Sequence, residues 1–115
     1  MNLRDAAADI ARTLTELDPR QPGAWISLAY AVRRKPGGGI PQAKAILVQA
    51  RQAFPKEQII AYNLACYECQ LGDLSAAKSW LENACALGDA NQIELMALED
   101  PDLKPLWPDL RRSRA

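Results

Sequence analysis

The chain has 115 residues, 49% of them hydrophobic and 24% charged, and its 14 basic and 14 acidic side chains cancel to a formal net charge of zero. That length fits one domain able to bury a core without disulfide or metal staples. The charge balance argues against wholesale binding to nucleic-acid phosphates, and the absence of histidine removes His-based triads, HExxH zinc sites and Cys2His2 fingers together.

Alanine and leucine dominate, while β-branched and aromatic residues are few, which favours helix over sheet. The opening residues, MNLRDAAADIARTL, are polar and amphipathic rather than a secretory core. No apolar run approaches the roughly 20 residues needed to span a bilayer. With an odd count of three cysteines, the chain reads as cytoplasmic with reduced thiols.

The predicted elements follow one another at short intervals. In AAADIARTLTELDP, residues Ala7, Ile10, Ala11, Leu14 and Leu17 keep the spacing of one helix face, and Asp18-Pro19 and Pro22-Gly23 break it. A second helix fits GAWISLAYAVRR and stops at Pro36 and the glycines Gly37, Gly38 and Gly39. The third starts near Pro41, tolerated in a first turn, and runs to Pro55. A fourth, QIIAYNLACYECQL, ends at Gly72, and Asp73 is placed to cap a fifth, LSAAKSWLENACAL, which ends at Gly88. A shorter sixth covers NQIELMALE. Beyond it, DPDLKPLWPDL carries Pro101, Pro105 and Pro108 and should hold a turn or so of helix at a time. Leu103, Leu106, Trp107 and Leu110 are too apolar for a free tail and are expected to fold back as a C-terminal lid over the open end. Arg111, Arg112 and Arg114 beyond them read as a solvated tail.

Two of these helix pairs repeat. Ala43, Lys44, Leu47 and Ala50 recur 34 residues later as Ala77, Lys78, Leu81 and Ala84. Trp25, Leu28 and Ala29 recur 36 residues later as Ala61, Leu64 and Ala65, the difference falling in the longer turn RKPGGGIP. A turn is where an insertion costs least, because closure entropy grows slowly with loop length. Small residues at these places let helix backbones approach, and Trp25, Leu28, Leu47, Leu64 and Leu81 fill the gaps.

The period, the two helices per unit and the string AYNLACYECQLGDLSAAKSWLENACALG resemble the tetratricopeptide repeat. Trp25, Leu28, Ala29, Ala43, Leu47, Ala50 and Pro55 match its pattern in one unit, and Ala61, Leu64, Ala65, Gly72, Ala77, Leu81 and Ala84 in the next. Val32, Glu68 and Asp89 depart from it, at the usual tyrosines and the closing proline. The resemblance implies an all-α fold, a right-handed superhelical stack of antiparallel helix pairs. It would comprise two full units (22–55 and 57–89) with capping helices at both ends (1–20 and 90–113), within a single domain. Neither unit could bury its stripe alone, so stacking would create the core.

The resemblance also implies a concave groove lined by the first helix of each unit. Its ligand-facing positions map onto Ile26, Tyr30, Arg33 and Arg34, and onto Ile59, Tyr62, Cys66, Cys69 and Gln70. Asn63 falls at a position that contributes to a carboxylate clamp in chaperone-binding members. The companion clamp places hold Ile26, Tyr30, Ile93 and Ala97, so that mode is rejected. Tyrosine and arginine are enriched at binding hot spots, so one reading is a non-enzymatic adaptor that docks a peptide or partner helix on this groove. The other is a structural or oligomerisation scaffold whose groove is filled by its own terminal helices and whose ends stack on another copy. Neither needs a cofactor, a metal, a nucleic acid or a membrane.

Other chemistry is thin. Cys66 and Cys69 form a C-x-x-C, but a zinc site needs about four ligands and only Cys85 remains. A redox pair belongs at a helix N-terminus, and these lie in the middle and later part of one. Glu99, Asp100 and Asp102 lack the glycine and distal glutamate of a calcium loop and read as a solvated turn. PGGG lacks the G-K-[ST] of a phosphate loop, and Ser27, Ser75 and Ser79 have no histidine to activate them.

Overall fold

A computed structural model describes residues 2–114. Among them are seven α-helices, one 3₁₀ helix and no strand, with neighbouring helices packed on one another. Among the described residues no helix is long and apolar enough to cross a membrane. The chain divides into two compact units, Met1–Pro55 and Lys56–Ala115, a division at the boundary between the two repeats read from sequence.

The first unit holds α1 (Leu3–Leu17), α2 (Pro22–Arg34) and α3 (Ile40–Ala53), with α2 packed between the other two. Ala11, Leu28 and Val32 form its centre, and Trp25, Ala31 and Ile46 pack around them. The Trp25 indole donates to the Pro19 carbonyl at 2.9 Å, tying α2 to the preceding turn. On α1 the buried residues are Ala8, Ala11 and Thr15. The sequence stripe shares only Ala11 with that set. Ile10, Leu14 and Leu17 stay exposed, because the small face lets α1 and α2 close to backbone range and turns the larger residues outward.

The turn from α2 to α3 needs its glycines. The Gly39 amide donates to the Val32 carbonyl at 3.1 Å, and the Gly38 amide to the Lys35 carbonyl at 3.0 Å. A Cβ at Gly38 would lie 2.2 Å from the Val32 carbonyl oxygen, so the close approach excludes any side chain there.

The second unit holds α4 (Gln58–Gln70), α5 (Leu74–Leu87), α6 (Ala90–Ala97), the 3₁₀ helix Pro101–Leu106 and α7 (Trp107–Arg114). Helix α4 is its centre: Ile60, Ala61, Tyr62, every residue from Leu64 to Cys69, and so nearly its whole circumference, is buried. Ala77, Leu81 and Ala84 of α5 are the buried face of the helix packed on it. Gly72, at φ +89°, closes α4 in a Schellman motif, in which Asp73 N–H donates to Glu68 C=O at 3.0 Å and Gly72 N–H to Cys69 C=O at 3.1 Å. Asp73 then caps α5 through the Ala76 amide at 3.0 Å.

The C-terminal segment does more than hold single turns. Asp100 caps the 3₁₀ helix, Leu103 and Leu106 are buried, and Pro108 sits in the first turn of α7, where its missing N–H costs nothing. Leu103 and Leu106 fold back into the unit, with the 3₁₀ helix lying chiefly along α4. The Trp107 indole donates to the Ala97 carbonyl at 2.8 Å. The arginines beyond it are no free tail. Arg114 reaches Glu94 and Asn91 at 2.8 Å each, Arg112 pairs with Asp109, and the Arg111 guanidinium stacks 5.6 Å from the Trp107 ring centroid.

Candidate protein-interaction surface

The ten residues selected from the sequence fall into two groups with different surroundings. In the second unit, Tyr62, Cys66 and Cys69 are buried, and the C-terminal segment lies across them. The Tyr62 hydroxyl donates to Asp100 Oδ2 at 2.9 Å, and the Cys66 thiol lies 3.7 Å from the same oxygen. Asp100 Oδ1 accepts the Asp102 amide at 3.0 Å, so this carboxylate caps a helix and receives a phenol at once. Gln70, exposed at the end of the row, donates to the Asp102 carbonyl at 3.0 Å. Ile59 and Asn63 are half-buried.

Electrostatics follow the packing. Burial raises the Tyr62 pKa well above the usual phenol range, and the hydrogen bond given to Asp100 raises it further. Burial likewise pushes the Cys69 thiol up, helped by the negative charges of Asp102 and Asp100. A thiol held protonated is a poor nucleophile and a poor metal ligand. Cys66, Asp100 and Asp102 do bring one donor atom each within 4.8 Å of one another. Both Asp100 oxygens already accept hydrogen bonds, so the arrangement works as a latch between α4 and the 3₁₀ helix. In the turn read as solvated from sequence Glu99 is exposed, but Asp100 and Asp102 are half-buried and structural.

In the first unit Tyr30 and Arg34 remain open. Tyr30 is 53% exposed, Arg34 is exposed, and Ile26 and Arg33 are half-buried. Arg34 Nη1 donates to the Tyr30 hydroxyl at 3.0 Å, and its guanidinium lies 5.3 Å from the ring centroid. Arg4 Nη1 reaches the Arg34 carbonyl at 3.3 Å, where α2 ends with negative partial charge. Between α1 and α2 these residues border a cleft of about 180 Å³ lined by Leu3, Arg4, Ala7, Tyr30, Ala31 and Arg34. Its floor is apolar and two guanidiniums stand on its rim. That combination accepts an apolar side chain with a neighbouring carboxylate.

Leu3, Arg4 and Ala7 were not among the residues selected from sequence, since α1 entered that reading only as a cap. The signal was present in the stripe's own period. Leu3, Ala7, Ile10, Leu14 and Leu17 step by four, three, four and three residues, the spacing of a seam between two helices.

A larger cleft of about 320 Å³ lies in the second unit, bordered by Lys78, Glu82, Cys85, Glu94, Asp109 and Ser113. Its thiol, Cys85, is raised by burial and by the charges of Glu94 and Glu82, and Glu94 is engaged with Arg114. A thiol raised in this way is a weaker nucleophile than an ordinary one. Comparison with protein-family models, with curated proteins and with solved structures finds no match to this chain.

Proposed function

We infer that the chain is a non-enzymatic protein-interaction module of tetratricopeptide-repeat type, its antiparallel helix pairs stacked in a right-handed superhelix. Its docking surface is the α1–α2 face of the first unit. A peptide or partner helix carrying an apolar residue next to a carboxylate fits that face. The observation behind this reading is the open cleft under Tyr30 and Arg34, with exposed aromatic and guanidinium groups set side by side. Cys66, Cys69 and Cys85, none of them in a disulfide, suit a reducing compartment such as the cytoplasm.

The scaffold reading draws support from the other unit. Tyr62, Cys66 and Cys69, which the repeat register assigns to a groove, are covered by the chain's own 3₁₀ helix. A displayed library of random peptides, selected in parallel on the native chain and on Tyr30→Ala/Arg34→Glu, separates the two. Docking on the first unit predicts enrichment of apolar residues flanked by Asp or Glu on the native chain alone. Equal enrichment on both chains, with helicity unchanged by circular dichroism, would move the docking surface elsewhere.

A further inference from the structure

We propose that the partner of this face is a second copy of the chain, paired antiparallel through α1 about a two-fold axis near Ile10. The proposal rests on the α1–α2 face being the docking surface and names its occupant.

Three observations carry it. The seam residues are open in the protomer: Leu3 is 89% exposed, Leu17 76%, Ile10 64% and Leu14 48%. Single exposed leucines are ordinary, but four large apolar residues in heptad register on one helix make a continuous stripe. The stripe is also self-complementary. With Ile10 on the axis, Leu3 meets Leu17 of the other copy, and Ala7 meets Leu14, small against large.

Charge fixes the direction. On the flank of the seam nearest α2, Arg4 stands at the N-terminal end and Asp18 follows the C-terminal end. Antiparallel pairing brings this flank of the two copies together and sets each Arg4 near the other copy's Asp18, whereas parallel pairing turns it to the opposite flank, which offers Arg4 no carboxylate. Within its own protomer Asp18 accepts the Arg20 amide and the Gln21 side chain at 3.2 and 3.3 Å and pairs with Arg20 Nε at 3.5 Å, and its side chain is still 41% exposed. Leu17 of the second copy then reaches the cleft beside Leu3 and Tyr30, whose rim arginines suit the following carboxylate.

The area is that of a small interface. The four seam residues, 48–89% exposed, offer a patch on the scale of the weakest specific complexes, which begin at about 1,000 Å² in total. An interface of that size predicts a concentration-dependent dimer rather than an obligate one.

Sedimentation equilibrium of the full chain over a wide concentration range tests this. The native chain should form a dimer, and Ile10→Asp should weaken association by about 100-fold or more with unchanged helicity, since Ile10 is 64% exposed in the protomer. Ile10→Ser serves as a milder second variant. For direction, Leu3→Cys and Leu17→Cys chains, each also carrying Cys85→Ser, are mixed and oxidised. Antiparallel pairing gives cross-linked dimer from the mixture and little from either chain alone. A native monomer at all concentrations, a dimer indifferent to Ile10→Asp, or cross-linking of each chain alone would overturn the proposal. Ile10 does not line the cleft, so peptide selection on Ile10→Asp reports separately: enrichment there beside a monomeric native chain retires the second copy and keeps the docking face.

Discussion

The two units contain the same kind of helix pair and finish it differently. In each, a buried row on the second helix, Ala43, Leu47 and Ala50 or Ala77, Leu81 and Ala84, belongs to a pair with a glycine turn between its helices. In the second unit the remaining face of the first helix is covered by the chain itself, and α4 is buried nearly all round. In the first unit the added helix, α1, brings a small-residue face to α2 and leaves its large apolar residues open. The helix starts differ in the same direction. In the second unit Glu57, Asp73, Asp89 and Asp100 each accept a backbone N–H at the start of the element that follows. In the first, Asn2 caps α1, but Gln21 and Gly39 make no side-chain cap for α2 and α3. The second unit closes its helix starts and the groove face of α4 internally, with its exposed apolar residues scattered at Leu71, Leu74, Leu95 and Met96, and the first gathers most of its own into one stripe along α1.

The contrast breaks most visibly if the seal over α4 is removed. Leu103 is fully buried, so Leu103→Ala should cost about 2–5 kcal/mol in denaturant unfolding. It should also speed alkylation of Cys66 and Cys69 under native conditions. Unchanged labelling would mean that the seal does not depend on this residue.

That seal shows what the sequence carried and what it did not. Helix boundaries were legible because Gly72, Asp73, Gly88 and the prolines act locally, through φ, capping or a missing N–H. The repeat was legible because equal packing demands equal residue size at equal intervals. The cover over Tyr62, Cys66 and Cys69 was not, because it depends on Asp100 reaching a residue 38 positions away, which no local pattern encodes. Apolarity at Leu103 and Leu106 announced that the tail is buried without saying against what. For α1, the stripe predicted a helix correctly and the packed face incorrectly. The helix settles by close approach of Ala8 and Ala11, and periodicity counts size rather than clearance.

A smaller loss is expected in the first unit from Gly38→Ala. The new Cβ would meet a backbone oxygen rather than a movable side chain, so the turn must shift, at about 1–3 kcal/mol. The same change at Gly23, with nothing within 4 Å of its Cβ position, is the control and should leave thermal unfolding nearly unaltered or slightly improved.

Alkaline pH should act on the sealed unit. Tyr62, Cys69 and Cys85 all have raised pKa values in the fold. Their contribution is therefore fully present below the unfolded values, about 8.5 for thiols and about 10 for the phenol, and is lost as pH rises above them. Each group can contribute a slope of at most about 1.4 kcal/mol per pH unit. Urea unfolding across this range should show stability falling with pH, and Tyr62→Phe should flatten the part above about pH 10. An equal slope in that variant would place the titration elsewhere.

The smallest expected effect is a gain. Gln21 already has the extended backbone of an N-cap, at φ −95° and ψ 108°, but its side chain turns back to donate to Asp18 at 3.3 Å. Pro22 occupies the first helical position, where its missing N–H leaves one fewer donor to satisfy, and the amides of Gly23 and Ala24 follow. Gln21→Asp places a carboxylate within reach of these amides, at the positive end of the α2 dipole. Loss of the exposed contact to Asp18 and the proximity of two acidic groups offset part of the benefit. The net change should be a stabilisation of about 0.5–1 kcal/mol, read as an upward shift of the urea midpoint with unchanged slope. Asp73→Ala in the other unit should move the midpoint down by a similar amount, since it removes a cap already made. If Gln21→Asp gains nothing while Asp73→Ala still loses, the uncapped start of α2 is limited by its Pro22-Gly23 backbone. The difference between the units would then lie in chain stiffness at that turn rather than in hydrogen bonds left unmade.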